Sequence, residues 1–204
     1  MAREQMLARV RAALADQPTP PAISRGYARA SDPGTDLVGL FVQRARDYRA
    51  TVDLAPADDI DEDIDLALSR HGIRTLVVPR GVSLLWLAST GARWLVDNPP
   101  LTVAELDSVD GVLTCAAVAI ASTGTVVLDA GPGQGRRVLS LLPDYHLCVV
   151  RADQIVGTVS EAIARLDPTR PLTWISGPSA TSDIELRRVE GVHGPRRLHL
   201  LVAV

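Results

Sequence analysis

VLTCAAVAIASTGTVVLDAG, residues 112–131, consists of two apolar runs separated by a short hydroxyl and glycine break. Each run is rich in Val, Leu, Ile and Ala, and the break at Ser122, Thr123 and Gly124 has turn composition, so the stretch reads as two adjacent strands joined by a tight turn. Strands as continuously apolar as these belong inside a sheet buried on both faces.

Outward from that pair, the pattern alternates. Upstream, DLVGLFVQRARDYRA (36–50) places Leu37, Leu40, Phe41, Ala45 and Tyr48 on one side of a helix, and a short apolar TVDLA (51–55) follows. ADDIDEDIDLALSRHG (57–72) is a second helix whose acid-rich first turn suits the positive end of its dipole, with Gly72 placed to end it. The acidic run is that helix's solvated face rather than a metal site. IRTLVVP (73–79) is a buried strand, GVSLLWLAST (81–90) and ARWLVDN (92–98) repeat helix then strand, and TVAELDSVDG (102–111) is a short helix. Downstream, YHLCVVR (145–151) is a strand, ADQIVGTVSEAIARL (152–166) a helix, and LTWI (172–175) and RLHLLVAV (197–204) are strands. The fold class is α/β, an open, mostly parallel sheet with helices on both faces.

Ahead of this domain, Leu7, Val10, Arg11 and Leu14 fall near helical spacing in a charged amphipathic segment with no apolar core of a secretory signal. Residues 16–36 then carry three prolines within four positions, an extended linker. The chain divides into an N-terminal helix and Pro-rich linker, 1–35, and an α/β domain, 36–204. A length of 204 residues with 47% hydrophobic content fits a single core with such an appendage. No apolar run approaches the roughly 20 residues of a membrane span, and the protein is expected to be cytoplasmic.

Composition excludes several chemistries. Every basic side chain is arginine, so the lysine of a P-loop and the lysine amine of Schiff-base chemistry are both missing. Net charge is −3 with the arginines scattered, which gives nucleic-acid binding no support. Cys115 and Cys148 stand alone in apolar runs, as buried thiols of a reducing compartment do. An iron–sulfur cluster takes about four cysteines, so this chain cannot hold one by itself. His193 and His199 lack the spacing of a helical ligand pair and have no cysteine cluster beside them, so no metal site is expected.

Three strand-end loops carry candidate chemistry, because ligands of open α/β sheets collect where loops and helix starts converge. ASTGT (121–125) contributes Ser122, Thr123, Gly124 and Thr125. GPGQGRR (131–137) has glycines at alternate positions, two of them Gly133 and Gly135, with Arg136 and Arg137 behind; its amides form either an anion nest or a plain surface turn. SGPSATSDIE (176–185) turns at Gly177, and Ser179 or Thr181 either cradles an anion or caps a helical turn carrying Asp183 and Glu185. His193, flanked by Gly191 and Gly194, either serves as an acid–base group or holds its own turn.

AIASTGTVVLDAG, LSLLPDYHLCVVRADQIV, ISGPSATSDIE and GVHGPRRLHLLV, in that order and spacing, resemble the lactate utilization protein C family, also called LUD-domain or YkgG-like. The resemblance is strong from about Asp107 onward and looser back to Asp36. It implies a fold like that of ribose-5-phosphate isomerase, glucosamine-phosphate deaminase and CoA-transferases. It also implies a part in oxidising L-lactate to pyruvate beside two iron–sulfur oxidoreductase-like partners, which would carry the clusters. Thr123, Gly124, Thr125, Gly177, Ser179, Asp183, Glu185, His193 and Gly194 match the family, whereas Ser122 stands where the family commonly has an acid, so a carboxylate nucleophile is not available at that turn. Three functions follow as expectations: a component of a lactate-oxidising system binding a small anionic ligand or partner at these loops, with His193 and Asp183 as its catalytic candidates; a stand-alone enzyme or binder for a phosphorylated or CoA-like molecule; or a non-catalytic assembly module.

Overall fold

The computed structural model describes residues 2–16, 22–23, 25–26, 29–181, 189–191 and 193–204. Helix α1 spans Ala2–Ala13 and buries none of its residues. The next elements are α2 (Leu37–Asp47), β1 (Thr51–Ala55), α3 (Ile60–Arg70), β2 (Thr75–Val78), β3 (Arg93–Val96), α4 (Val103–Asp107) and β4 (Gly111–Cys115). There follow β5 (Val118–Ile120), β6 (Thr125–Leu128), β7 (Tyr145–Arg151), β8 (Ile155–Val156), α5 (Val159–Arg165), β9 (Thr173–Ile175), β10 (Ala180–Thr181), β11 (Val189–Glu190) and β12 (Arg197–Ala203).

Six strands form one all-parallel sheet in the order β1-β12-β7-β4-β2-β3. Two neighbouring interior strands, β7 and β12, are buried along almost their whole length. Side-chain alternation sends Tyr145, Leu147, Val149, Leu201 and Ala203 toward Ile60, Ile64, Ala67 and Leu68 of α3. Cys148, Val150, Leu198, Leu200 and Val202 face the other way, onto Phe41, Val42 and Ala45 of α2 and onto Ala119, Val126, Leu128 and Ile155 of a second sheet. At the far edge of that face, Leu106 of α4 covers Val77 and Val112.

The helices start where their caps dictate. The Asp36 carboxylate accepts from Gly39 N at 2.9 Å at the head of α2, and Thr102 with Glu105 and Thr158 with Glu161 form reciprocal capping boxes for α4 and α5. One chain of polar groups in the core is likewise matched. Tyr145 Oη and His199 Nδ1 lie 2.8 Å apart, His199 Nε2 is 3.0 Å from Asp53 Oδ2, and Arg70 completes the chain at 3.0 Å from the same oxygen.

The second sheet departs from the sequence reading. Residues 112–115 end β4 in the parallel sheet, but β5 and β6 form an antiparallel hairpin in a separate four-stranded sheet ordered β8-β5-β6-β9. The small residues Ala116 and Ala117 carry the chain between sheets: Ala116 N still bonds to Val149 O of β7, while Ala117 N already bonds to Val127 O of β6. The outer face of this sheet packs Val118, Ile120, Val127 and Val156 on Ala162 of α5. Segment 152–166 is therefore not one helix. A 3-10 turn at Ala152–Gln154 leads into β8, and the helix begins only after the Thr158 cap. The segment 81–90 holds a single 3-10 turn, Leu84–Leu87, in place of a full helix.

The β5–β6 turn is pinned against α2. Gly124 has φ +61, and a Cβ there would stand 2.5 Å from Ala45 N, whereas Gly72 has φ +67 with open space around it. Left-handed backbone costs a side chain roughly 1–2 kcal/mol and overpacking roughly 1–3 kcal/mol more. Gly124→Ala should thus lose about 2–5 kcal/mol in urea denaturation and Gly72→Ala only about 1–2 kcal/mol; equal losses would show that the turn does not bear on α2.

Candidate functional site

The parallel strands of the main sheet end together, and their carboxyl ends border a wide crevice. Pro79, Arg80 and Gly81 follow β2, Asp97 follows β3, Cys115 closes β4, and Arg151 closes β7. Two adjoining hollows of about 490 and 610 Å³ share Gly81, Pro132 and Arg170 as a common ridge. The first is lined by Trp86, Cys115, Gln134, Arg151 and Arg165, and the second by Arg80, Asp97, Gly135 and Arg136.

The glycine loop 131–135 is the seam of this crevice. Gly133 N donates to Arg80 O and Gly133 O accepts from Cys115 N, both at 2.7 Å, which ties the loop to the ends of β2 and β4. A Cβ on Gly133 would stand 3.0 Å from Cys115 Sγ, so the close approach requires glycine. Gly131 N donates to the Asp129 carboxylate at 3.0 Å, and Gln134 N and Gly135 N both donate to Gly131 O. The amides of Gly131, Gly133, Gln134 and Gly135 are thereby consumed by the loop itself and by Arg80 O, and anion recognition at this edge falls to side chains.

Those side chains differ in how free they are. Arg136 is clamped by Asp97, with Nε to Oδ2 at 2.8 Å and Nη2 to Oδ1 at 2.9 Å, and it also donates to Leu101 O. That hydrogen bond holds the Asp97 carboxyl below its ordinary range. Arg137 turns away to Leu172 O and Thr173 Oγ1. Arg170 is paired with Asp129 at 2.9 Å on the ridge, and Arg165 donates to Asp153 O at 2.9 Å. Arg80 is exposed, and its guanidinium makes no ion pair or hydrogen bond among the described residues. Burial pushes the Cys115 thiol up to about 11, so it stays protonated at neutral pH and is a poor nucleophile.

Four other predicted residues, Gly177, Ser179, His193 and Gly194, gather at the opposite, amino edge of the sheet. A cavity of about 270 Å³ is lined by Gly177, Ser179, His193 and Gly194 together with Ser140, His146, Trp174 and Leu198. Ser179 Oγ accepts from His193 N at 3.2 Å, so the hydroxyl holds the turn that carries the imidazole. Thr123 Oγ1 and Thr125 Oγ1 are 2.7 Å apart, and Thr125 Oγ1 is 2.7 Å from Ser176 Oγ; this hydroxyl chain joins the β5–β6 turn to the end of β9, and of its three members Ser176 alone lines the cavity. Ser122 is exposed, with its amide bonded to Gly157 O at 3.1 Å. Thr181 lies in β10, whereas Asp183 and Glu185 fall outside the described residues. Among the described residues no three His, Cys, Asp or Glu side chains gather as metal ligands.

The sequence reading set all three loops at strand carboxyl ends, whereas the fold puts residues 176–180 and 193–194 at the amino edge of the main sheet; it also passed over Arg80, Trp86, Arg170 and His146. Arg80 and Gly81 were readable, since they directly follow an apolar strand, where the strand-end rule places ligands.

A parallel sheet covered by helices and a second sheet, with a glycine seam and an arginine-lined crevice at its carboxyl edge, defines an α/β domain. The LUD domain matches residues 102–203. A lactate utilization protein C from Deinococcus radiodurans is 48% identical over 194 residues, 93% of this chain and 86% of that protein. One from Halalkalibacterium halodurans is 28% identical over 81% of this chain and 78% of its own length. The crystal structure of a DUF162-family protein from Deinococcus radiodurans superposes with a TM-score of 0.71 at 43% identity, covering 87% of this chain and 99% of that one. The chain belongs to the LUD-domain family, in its lactate utilization protein C group. Among the described residues no helix is long and apolar enough to cross a membrane.

His146, wholly buried, is pushed by desolvation from 6.5 down to about 4. The unfolded chain takes up that proton near 6.5 and the folded chain only near 4, so the contribution is whole above 6.5 and is lost on acidification, about 3 kcal/mol by pH 4. His199, also lowered by burial, acts in the same direction. Urea denaturation at neutral pH and near pH 4.5 should register the loss, and His146→Gln should flatten part of it; the same slope in that variant would place the proton elsewhere.

Proposed function

We propose that this chain is a component of an L-lactate utilization system that binds an anionic ligand in the carboxyl-edge crevice. The system oxidises L-lactate to pyruvate with two iron–sulfur partner proteins. The observation that carries the reading is the set of arginines around the glycine seam, with Arg80 exposed and without an ion pair among the described residues, and Arg170 on the ridge between the hollows. The relatives named lactate utilization protein C supply the metabolic setting. Oxidising lactate to pyruvate removes an electron pair, and two isolated cysteines, one half-buried and one buried, do not make the four-thiolate cradle of a cluster. The electron carriers therefore belong on the partners, and this chain supplies recognition.

Size bears on the ligand. Hollows of about 490 and 610 Å³ lie in the range that encloses drug-sized molecules, and an acid as small as lactate would fill little of either. A charge-assisted contact contributes roughly 1.5–3 kcal/mol, so two arginines together reach the roughly 4 kcal/mol of millimolar binding. The ligand favoured here is an anion larger than lactate, with its charge at Arg80 and Arg170 and its bulk along Trp86.

A bacterial strain lacking its own relative of this gene should fail to grow on L-lactate and recover with the wild-type chain. The Arg80→Ala, Arg170→Ala double variant should melt within a few degrees of wild type and yet not restore growth. Full restoration by that variant would remove the crevice from the function, and undiminished growth of the deletion strain would remove the lactate role itself.

A further inference from the structure

The amino-edge cavity is a hollow distinct from the crevice, and its lining has a different chemistry. Its walls include Trp174, Pro178, Pro195, Leu141 and Leu198, and among the described residues no arginine, aspartate or glutamate lines it. Set into those walls is His146, only 1% exposed. One ring nitrogen, Nε2, lies 2.8 Å from Thr114 Oγ1, while Nδ1 has no hydrogen-bond partner among the described residues. His146 is itself one of the residues that line the hollow. A polar atom in that state calls for a partner that enters the cavity.

Other groups complete the set. Ser179 Oγ accepts from His193 N at 3.2 Å, which leaves its own proton to donate. Ser140 Oγ spends its proton on Arg137 O at 3.0 Å and keeps lone pairs to accept. Trp174 is 41% exposed and offers aromatic surface beside two prolines. Apolar walls with a few fixed polar points are the usual make-up of a small-molecule pocket, and about 270 Å³ lies just below the range for drug-sized ligands. Among the described lining residues the ionisable side chains are His193 and His146, the latter kept neutral by burial, so a charged ligand would lose hydration here without meeting a fixed positive charge on those residues.

We propose that this cavity is a second binding site, for a small uncharged heteroaromatic ring packed on Trp174 and hydrogen-bonded by His146 Nδ1 and Ser179 Oγ. The ring is mono- or bicyclic, since the cavity admits little more. The burial that keeps the His146 imidazole neutral also suits it to an uncharged partner. The site is independent of the anion reading of the crevice, and either can fail without the other.

The test uses the full chain and three neutral probes, nicotinamide, adenine and benzimidazole, at neutral pH, with nicotinate as the anionic counterpart of the first. The readout is the indole N–H resonance of Trp174, assigned through Trp174→Phe. At least one neutral ring should shift it saturably, nicotinate should bind at least about tenfold more weakly than nicotinamide wherever nicotinamide binds, and Ser179→Ala should weaken binding about fivefold. Arg80→Ala should leave the titration unchanged. The proposal is overturned if none of the three rings moves the Trp174 signal at millimolar concentration, which would mean a water-filled gap only. It is equally overturned if the response sits on Trp86 in the crevice, or if Ser179→Ala binds as wild type does.

Discussion

Burying β7 and β12 on both faces is the constraint from which the rest of the structure follows. A parallel pair with Leu147, Val149, Leu201 and Ala203 on one side and Cys148, Val150, Leu200 and Val202 on the other cannot leave either side wet. Helix α3 closes the first. The second is closed jointly by α2 and a separate sheet, and that sheet needs strands taken from the middle of the chain. The polypeptide leaves the parallel sheet at Cys115, builds β5 and β6, and returns through the glycine loop, where Gly133 bonds to both Arg80 and Cys115. The crevice lies along this seam.

Strands and helices were largely legible because burial leaves a periodic trace. Phe41 with Ala45, and Ile60 with Ile64, Ala67 and Leu68, fall on helical stripes, and the run 145–151 is apolar at nearly every position, as a doubly covered strand must be. Partnership leaves no such trace. Val112 and Val118 are equally apolar and equally buried, yet they serve different sheets, because what separates them is the hydrogen-bonding partner of Ala116 as against that of Ala117. The helix expected over 152–166 failed for a related reason. Ile155 and Val156 suit a helix face and a short strand alike, and only the Thr158 cap marks where the helix begins.

The candidate site was legible in its residue types and not in its grouping. Glycines at 131, 133 and 135 correctly signal close backbone approach, but the backbone approached is the protein's own, at Arg80 and Cys115, so the amides are spent before any anion arrives. The family resemblance could not repair this. The LUD match spans residues 102–203, whereas Arg80, Trp86 and Asp97 lie ahead of it. Part of the crevice wall comes from the stretch of chain where the resemblance is loose, and the strand-end rule is the better guide there.

Geometry also decides which of the candidate residues act together. His146 lines the amino-edge cavity and Arg151 the carboxyl-edge crevice, and both sit on β7. Five residues at about 3.3 Å each set them on the order of 17 Å apart. A small anion touching Arg80 or Arg170 is thus out of reach of Ser179 and His193, and a single constellation drawn from residues 131–137 and 176–194 does not exist on one ligand. The hydroxyls of Thr123 and Thr125 belong to neither hollow, and they join Ser176, which lines the amino-edge cavity. They bind the hairpin turn to β9, and with Gly124 seated against α2 they hold the second sheet in place over the buried face of β7 and β12. The matching of that turn to the family is therefore explained by the architecture, and the chemistry is left to the two edges.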